Sequence, residues 1–504
     1  MLLVLPECLL VVTMSAVILV PFLNRRSVTN PTLVTIVGLG SALLAAIFTT
    51  NYSGQFIFSS MLAIDPFSQF FKSMLLLFTL MVVLQWLLLR RDEVHPFDVP
   101  DLMCLLLGAA VGMALMASAN NLLMIFVATE TASLTSFSLA GFRKQLKVGS
   151  EGSLKYAIFG AASSAVMIYG MSLIYGTTGS LNLHHIAEVA ASQMSPLLAV
   201  GLAGMLAGIA FKLSAVPFHF WCPDVFEGAP IEVTTFLSVA SKGAALCMLL
   251  RVLSAFGDAG TFVGLTIGVG ILGAITATWG NLAAFHQNNY KRLLAYSSIA
   301  HSGYMIMAAS VAAVAGNSYE AQKAIAGALL FYILVYMFMN LGAFTIGALI
   351  ANRTGSEDIT DYAGMSSRSP LLAFLLALFL LSLFGLPGLG GFMGKVLIGA
   401  GMFQAGDMAW TLVAVLLVNT LISLYYYLRP IYFMYLIPDT EHRPHILPRA
   451  TSLAMLVICA AALIYTGLGG STQDTADLGL LTRPTDHAKS KEASSDRQRM
   501  ITEN

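Results

Sequence analysis

The sequence predicts an all-α polytopic membrane protein of about fourteen transmembrane helices. Three observations carry that expectation. Of the 504 residues, 57% are apolar and only 10% charged, whereas a soluble domain carries about a quarter charged residues to hydrate its surface. Apolar runs of about 20 residues, the length that crosses a bilayer, recur along almost the whole chain. No hydrophilic stretch before residue 470 is long enough to fold as a soluble domain.

Polar, Gly, Pro and Asn interruptions bound the runs. They place spans near 3–23, 31–50, 67–90, 102–119, 121–141, 156–178 and 197–218, then near 231–253, 261–283, 293–314, 326–350, 370–400, 409–436 and 447–469. The first run lacks a basic leader, carries Pro6 and Glu7, and continues into Arg25 and Arg26. That pattern reads as a retained helix rather than a cleaved signal. Residues 1–469 are expected to form one transmembrane domain, and 470–504, rich in Ser, Thr, Asp, Lys and Arg, a disordered tail. Lys and Arg in short loops mark the cytoplasmic side. Fourteen fall on one side, among them Arg25, Arg26, Arg90, Arg91, Arg143 and Lys144. The loops opposite hold only Arg251 and Lys323, so both termini are expected outside the cytoplasm.

Composition also excludes several functions. Zero net charge offers no basic face for nucleic acid. Cys8, Cys104, Cys222, Cys247 and Cys459 are dispersed, without the spacing that holds zinc or an iron–sulfur cluster, and read as packing residues. His184 and His185 lie in an outer loop without a matched partner, so no metal site is expected. Gly201-Leu202-Ala203-Gly204 suits close helix contact, not phosphate binding.

The informative residues are the charges inside apolar runs. Lys242 lies about eleven residues, or ~16 Å, from either end of its span. Glu130 is near the middle of its own. A charge at such depth costs roughly 2.5–3.5 kcal/mol on insertion scales and needs a compensating reason. Lys212 and Lys395 are comparable. Lys155 stands at a predicted helix start, and Lys72, near another, is expected to snorkel to the interface. Glu7 and Asp101, near span ends, are expected to be solvated. A buried lysine that alternates between pairing with a carboxylate and releasing its proton can relay protons, and His301, within an apolar span, is a further candidate.

Backbone breaks coincide with two of these lysines. Pro217 cannot donate to the 213 carbonyl, which should end the seventh span within a turn of Lys212. Gly385-Leu386-Pro387-Gly388-Leu389-Gly390-Gly391 interrupts the twelfth span just before Lys395. Transporters place ion sites at such discontinuities. His219, Asp224 and Glu227, beyond the first break, are expected to cap helices or line an entrance. The breaks are five spans apart, which suggests two five-helix repeats, spans 4–8 (102–253) and spans 9–13 (261–436). Five being odd, the second repeat enters the membrane in the opposite sense.

Longer strings then resemble a known family. Phe211-Lys212-Leu213-Ser214-Ala215-Val216-Pro217-Phe218-His219-Phe220-Trp221, Pro223-Asp224-Val225-Phe226-Glu227-Gly228-Ala229-Pro230, Ser238 to Lys242, Lys291 to Tyr304 and Gly391-Phe392-Met393-Gly394-Lys395 are similar to the core of the subunit N family of NADH-quinone oxidoreductases. These are antiporter-like membrane subunits of respiratory complex I. The similarity covers roughly residues 1–465, including Leu5-Pro6-Glu7. It implies a multi-pass subunit of a bacterial inner membrane, pumping protons and holding no cofactor of its own. NADH, FMN, iron–sulfur clusters and quinone would belong to the membrane and peripheral partner subunits. By family motif Glu130 is the acid of the first half, Lys212 its partner, Lys242 the central relay, His301 a relay position and Lys395 the terminal relay. Lys155, in Leu154-Lys155-Tyr156, also matches a family lysine. Cys222 and Phe226 replace the more usual Thr and Tyr, and Gly388 replaces a common second proline, which implies a more flexible second break. On the sequence none of these departures touches the charged set.

Three other readings compete with a redox-driven proton pump. One is a subunit of a sodium/proton antiporter, another the equivalent subunit of a complex with a different electron donor or plastoquinone. The third is a structural subunit whose charges only lock helices.

Overall fold

A computed structural model describes residues 2–23, 29–50, 54–89, 98–143, 147–258, 263–312, 319–403, 407–439, 443 and 445–469. The tail 470–504 and Arg25, Arg26, Arg90, Arg91 and Lys144 lie outside the described residues. Two helices open the chain, α1 (Leu5–Leu23) and α2 (Thr29–Thr49), followed by a small antiparallel hairpin, β1 (Gln55–Ile57) with β2 (Leu62–Ile64), and α3 (Pro66–Leu89). Then come α4 (Asp98–Ser118), α5 (Leu122–Ala140), α6 (Lys147–Thr178), α7 (Leu183–Ser192), α8 (Pro196–Lys212), α9 (Trp221–Gly228), α10 (Ile231–Phe236) and α11 (Lys242–Asp258). The remainder is α12 (Val263–Ala284), α13 (Tyr290–Val311), α14 (Tyr319–Thr354), α15 (Met365–Arg368), α16 (Pro370–Phe384), α17 (Gly390–Phe403), α18 (Asp407–Leu436) and α19 (Ala450–Gly467).

Eleven helices among the described residues are long and apolar enough to cross a membrane. The apolar helices α8, α16 and α17 are shorter because the chain breaks beside them. Large apolar side chains face outward, Val37, Leu44 and Leu421 each about 70% exposed, while the interior holds Lys72, Lys212 and Lys242 at 1% or less. This inversion of the soluble pattern is what a hydrocarbon solvent selects.

Matched fixings recur at two places in the chain. Asn121 caps α5 by accepting from the Leu123 N–H, and Asn289 caps α13 by accepting from the Arg292 N–H. Each asparagine also bridges to the start of a later short helical segment, Asn121 to Asn182 and Asn289 to Asp358. The Leu122 N–H donates to the Leu181 carbonyl at 2.9 Å, and the Tyr290 N–H to the Glu357 carbonyl at 2.8 Å.

Three expectations change. Arg251 is no outer-loop residue: it is buried within α11, where its guanidinium meets Asp65 at 2.8 and 3.1 Å and the Ala117 carbonyl at 3.0 Å. Lys72 does not snorkel and Glu7 is not solvated, because the two bury one another in a 2.6 Å ion pair between α1 and α3. Lys155 stands two turns inside its helix, since α6 begins at Lys147 rather than near 156. The twelfth span is interrupted where expected, between α16 and α17, so that expectation stands.

Candidate functional site

The first break forms at Lys212. Helix α8 ends on that residue, and the chain turns through 213–220 before α9 starts at Trp221. Irregular backbone in an apolar interior must find hydrogen-bond partners. Here Ala215 N–H donates to the Ala210 carbonyl at 2.8 Å, Val216 N–H to Thr276 Oγ1 of α12 at 3.0 Å, and Trp221 Nε1 to the Phe211 carbonyl at 3.1 Å. The Lys212 ammonium is 1% exposed and has no hydrogen-bond partner among the described residues. Glu130 acts on it electrostatically without bonding it. Instead, half-buried Glu130 accepts a hydrogen bond from Ser164 of α6.

The second break places its lysine on the far side. Helix α16 ends at Phe384, Gly385 (φ +97°) and Gly388 (φ +90°) carry the turn, and α17 resumes at Gly390. Proline is confined near φ −65°, so a second proline at 388 would not fit this turn. A side chain at Gly391 would overlap the Ser382 carbonyl. Lys395 Nζ reaches back to donate to the Phe384 carbonyl at 2.7 Å and the Leu383 carbonyl at 3.2 Å. It thereby caps α16, where the helix dipole favours a cation.

Between the breaks lie Lys242 and His301. α10 runs through a π-helical segment, Leu237–Ser241, straight into α11. That wider turn delivers Lys242 Nζ to Ser298 Oγ of α13 at 2.6 Å and over the Phe226 ring, 5.9 Å from its centroid. Cys222 Sγ lies 3.9 Å from the same Ser298 Oγ. Two of the three departures from the family pattern therefore do touch the charged set, contrary to expectation, because α9 packs on α13. One turn beyond Ser298, His301 is held on both ring nitrogens, Nδ1 by Tyr332 Oη at 2.6 Å and Nε2 by Tyr427 Oη at 3.0 Å. Tyr427 is bonded in turn to Ser297. Another turn on, the Tyr304 ring faces Lys395 Nζ at 5.2 Å. Ser298, His301 and Tyr304 thus form one stripe of α13, ~4.5 Å of rise apart, which meets Lys242 at one end and Lys395 at the other.

Sequence reasoning missed the tyrosines, the serine and the π segment. Tyr332 and Tyr336 stand one turn apart on α14 and stack at 6.4 Å beside His301. Aromatic spacing of that kind reads as ordinary core. Lys155 was expected in the relay and is found elsewhere, 40% exposed and ion-paired with Asp224 and Glu151 at 2.7 Å. Asp224 and Glu227 also pair with Arg292, at 2.8 and 2.6 Å. His219 is buried against the Phe220 ring.

A helical bundle with apolar faces outward, two broken helices and ionisable groups threaded between them defines a class, the polytopic antiporter-like membrane proteins. The membrane family described as NADH:quinone oxidoreductase/Mrp antiporter, TM, matches residues 119–423, and the chain belongs to it. It is 38% identical over 444 residues to the NADH-quinone oxidoreductase subunit N of Anaeromyxobacter sp. (strain Fw109-5), covering 82% of this chain and 83% of that one. A chain of respiratory complex I from Thermus thermophilus with bound aureothin superposes with a TM-score of 0.76 at 34% identity, over 92% of this chain and 97% of that chain. A chain of the Mrp complex from Dietzia sp. DQ12-45-1b superposes with a TM-score of 0.80 at 20% identity, over 96% and 99%. At that identity the likeness is one of fold.

Proposed function

We propose that this chain is the proton-translocating membrane subunit of an NADH:quinone oxidoreductase, driven by electron transfer in partner subunits that hold NADH, FMN, iron–sulfur clusters and quinone. One observation carries the reading. Lys212, Lys242, His301 and Lys395 are all buried, and Ser298 and Tyr304 connect the last three along α13. Four such groups buried for packing alone would cost several kcal/mol each.

In this mechanism Glu130 and Lys212 form the entry pair. Approach of Glu130 holds the Lys212 proton; withdrawal of Glu130 to Ser164 releases it toward Lys242. Lys242 donates through Ser298, His301 takes a proton on one ring nitrogen and loses one from the other, and Lys395 is the terminal carrier. The matched asparagine fixings support two inverted five-helix units, 102–253 and 261–436, within a domain of fourteen crossings spanning 1–469. In that count α8, with the turn after it, is the seventh crossing, and α16 with α17 the twelfth. The fixing at Asn121 then lies at the outer end of the bundle and that at Asn289 at the inner end. The basic loops support termini on the periplasmic side of a bacterial inner membrane.

Lys242→Ala tests the proposal. The assembled complex should oxidise NADH without acidifying the far side of sealed vesicles, and acidification at the parental rate would end it. A sodium/proton antiporter subunit shares the fold, but the 38% identity to subunit N extends over most of the chain and supports the redox-linked reading.

A further inference from the structure

We propose that Asp224 is a positioning residue that yokes the two halves together, and that Lys155 serves this yoke rather than carrying protons. The inference rests on the proton-pumping reading and deepens it. One carboxylate is shared by two helices from different halves: Asp224 Oδ2 takes Lys155 Nζ of α6 at 2.7 Å, and Oδ1 takes Arg292 Nη1 of α13 at 2.8 Å. Arg292 is steadied by Glu227 Oε2 at 2.6 Å and by Gln287 Oε1 at 3.2 Å. Burial pushes the Asp224 carboxyl up, but hydrogen bonds and charge from Lys155 and Arg292 outweigh it and hold the carboxyl below its ordinary range. The yoke therefore stays charged at neutral pH.

Backbone packing points the same way. α9 lies against both α6 and α13. It reaches α6 through glycines: a Cβ at Gly152 would come within 2.8 Å of the Asp224 carbonyl oxygen, and one at Gly149 within 3.0 Å of the Gly228 carbonyl oxygen. α9 also continues directly from the turn that follows Lys212. α6 carries Ser164, the partner of Glu130, and α13 carries Ser298 and His301. A shift at the first break thus reaches the Glu130 side through Lys155 and the second half through Arg292. Single exposed ion pairs contribute only about 0–1 kcal/mol. What the shared carboxylate supplies is fixed geometry across three helices. Lys155, whose side chain is 40% exposed, lies in none of the buried hydrogen-bond chains.

The test measures protons translocated per NADH oxidised by the assembled complex in sealed vesicles. Arginine holds a carboxylate but does not release its proton. Lys155→Arg should therefore keep at least half of the parental ratio, whereas a proton carrier at 155 would lose about tenfold or more. Asp224→Asn should lower the ratio at least threefold, and Asp224→Glu should restore most of it. Loss of pumping in Lys155→Arg, or a parental ratio in Asp224→Asn, overturns the yoke. If Asp224→Asn fails to assemble, Lys155→Arg and Asp224→Glu still decide. Lys242→Ala, run in parallel, separates the two readings: parental pumping there ends the relay itself, while its loss together with loss in Lys155→Arg ends only the yoke.

Discussion

Lys212 and Lys395 each stand beside a helix break, yet among the described residues one ammonium has no hydrogen-bond partner and the other has two. Lys212 is the last residue of α8 and finds no hydrogen-bond acceptor among the described residues. Lys395 lies beyond its break and binds the Leu383 and Phe384 carbonyls. Under the proposed mechanism, the difference separates two kinds of proton carrier. A lysine without fixed bonds can gain or lose charge with little rearrangement, so its occupancy follows Glu130. A lysine that caps a helix ties its charge to the helix end, because charge-assisted hydrogen bonds are about twice as strong as neutral ones. Proton loss at Lys395 should loosen the α16 terminus, and proton loss at Lys212 should leave α8 as it is.

The sharpest way to break this contrast is to remove each charge in turn. Lys212→Met and Lys395→Met should both stop proton translocation. Only the second orphans buried carbonyls, at about 1–3 kcal/mol each, and it should lower the thermal midpoint of the purified complex. Lys212→Met removes a buried ammonium that holds no hydrogen bond and should leave that midpoint unchanged or raise it. Equal destabilisation by the two variants would end the distinction.

A smaller effect is expected at the histidine between the breaks. Tyr427→Phe keeps the ring but removes the hydroxyl at Nε2 of His301. Loss of about 1 kcal/mol should slow translocation roughly fivefold in vesicles, with assembly intact by native electrophoresis. A parental rate would show that the proton does not pass this nitrogen. The smallest effect concerns the neighbourhood of Lys242. Cys222→Thr sets a hydroxyl near Ser298 Oγ, and about 0.5 kcal/mol of new hydrogen bonding should change the initial pumping rate by about twofold. A tenfold change would mean that Cys222 belongs to the path.

The contrast also marks what can be read from a linear chain. Lys212, Lys242, His301 and Lys395 were legible because an ionisable group inside an apolar run has to be explained, and both breaks because Pro217 and the glycines around Pro387 do not continue a helix. Depth could be read; neighbours could not. Glu7 and Lys72 both sit near span ends, and the 2.6 Å pair that buries them joins two separate helices. Lys155 was misplaced because α6 extends nine residues further back than the apolar run, to Lys147. The π segment Leu237–Ser241 has no compositional signature. The asparagine fixings did offer a signal: Asn121 and Asn289 both precede helical runs as N-caps do, and pairing them would have supported the proposed repeat directly.

The wide turn just before Lys242 has a consequence for chain length. In a regular α-helix each residue advances the azimuth by about 100°, and a π turn absorbs one residue without that advance. Wound as regular α-helix, the same residues would turn Lys242 by about 100°, away from Ser298, so only the wide turn lets this many residues fit between α10 and α11. At this point the number of residues is held as tightly as their identity.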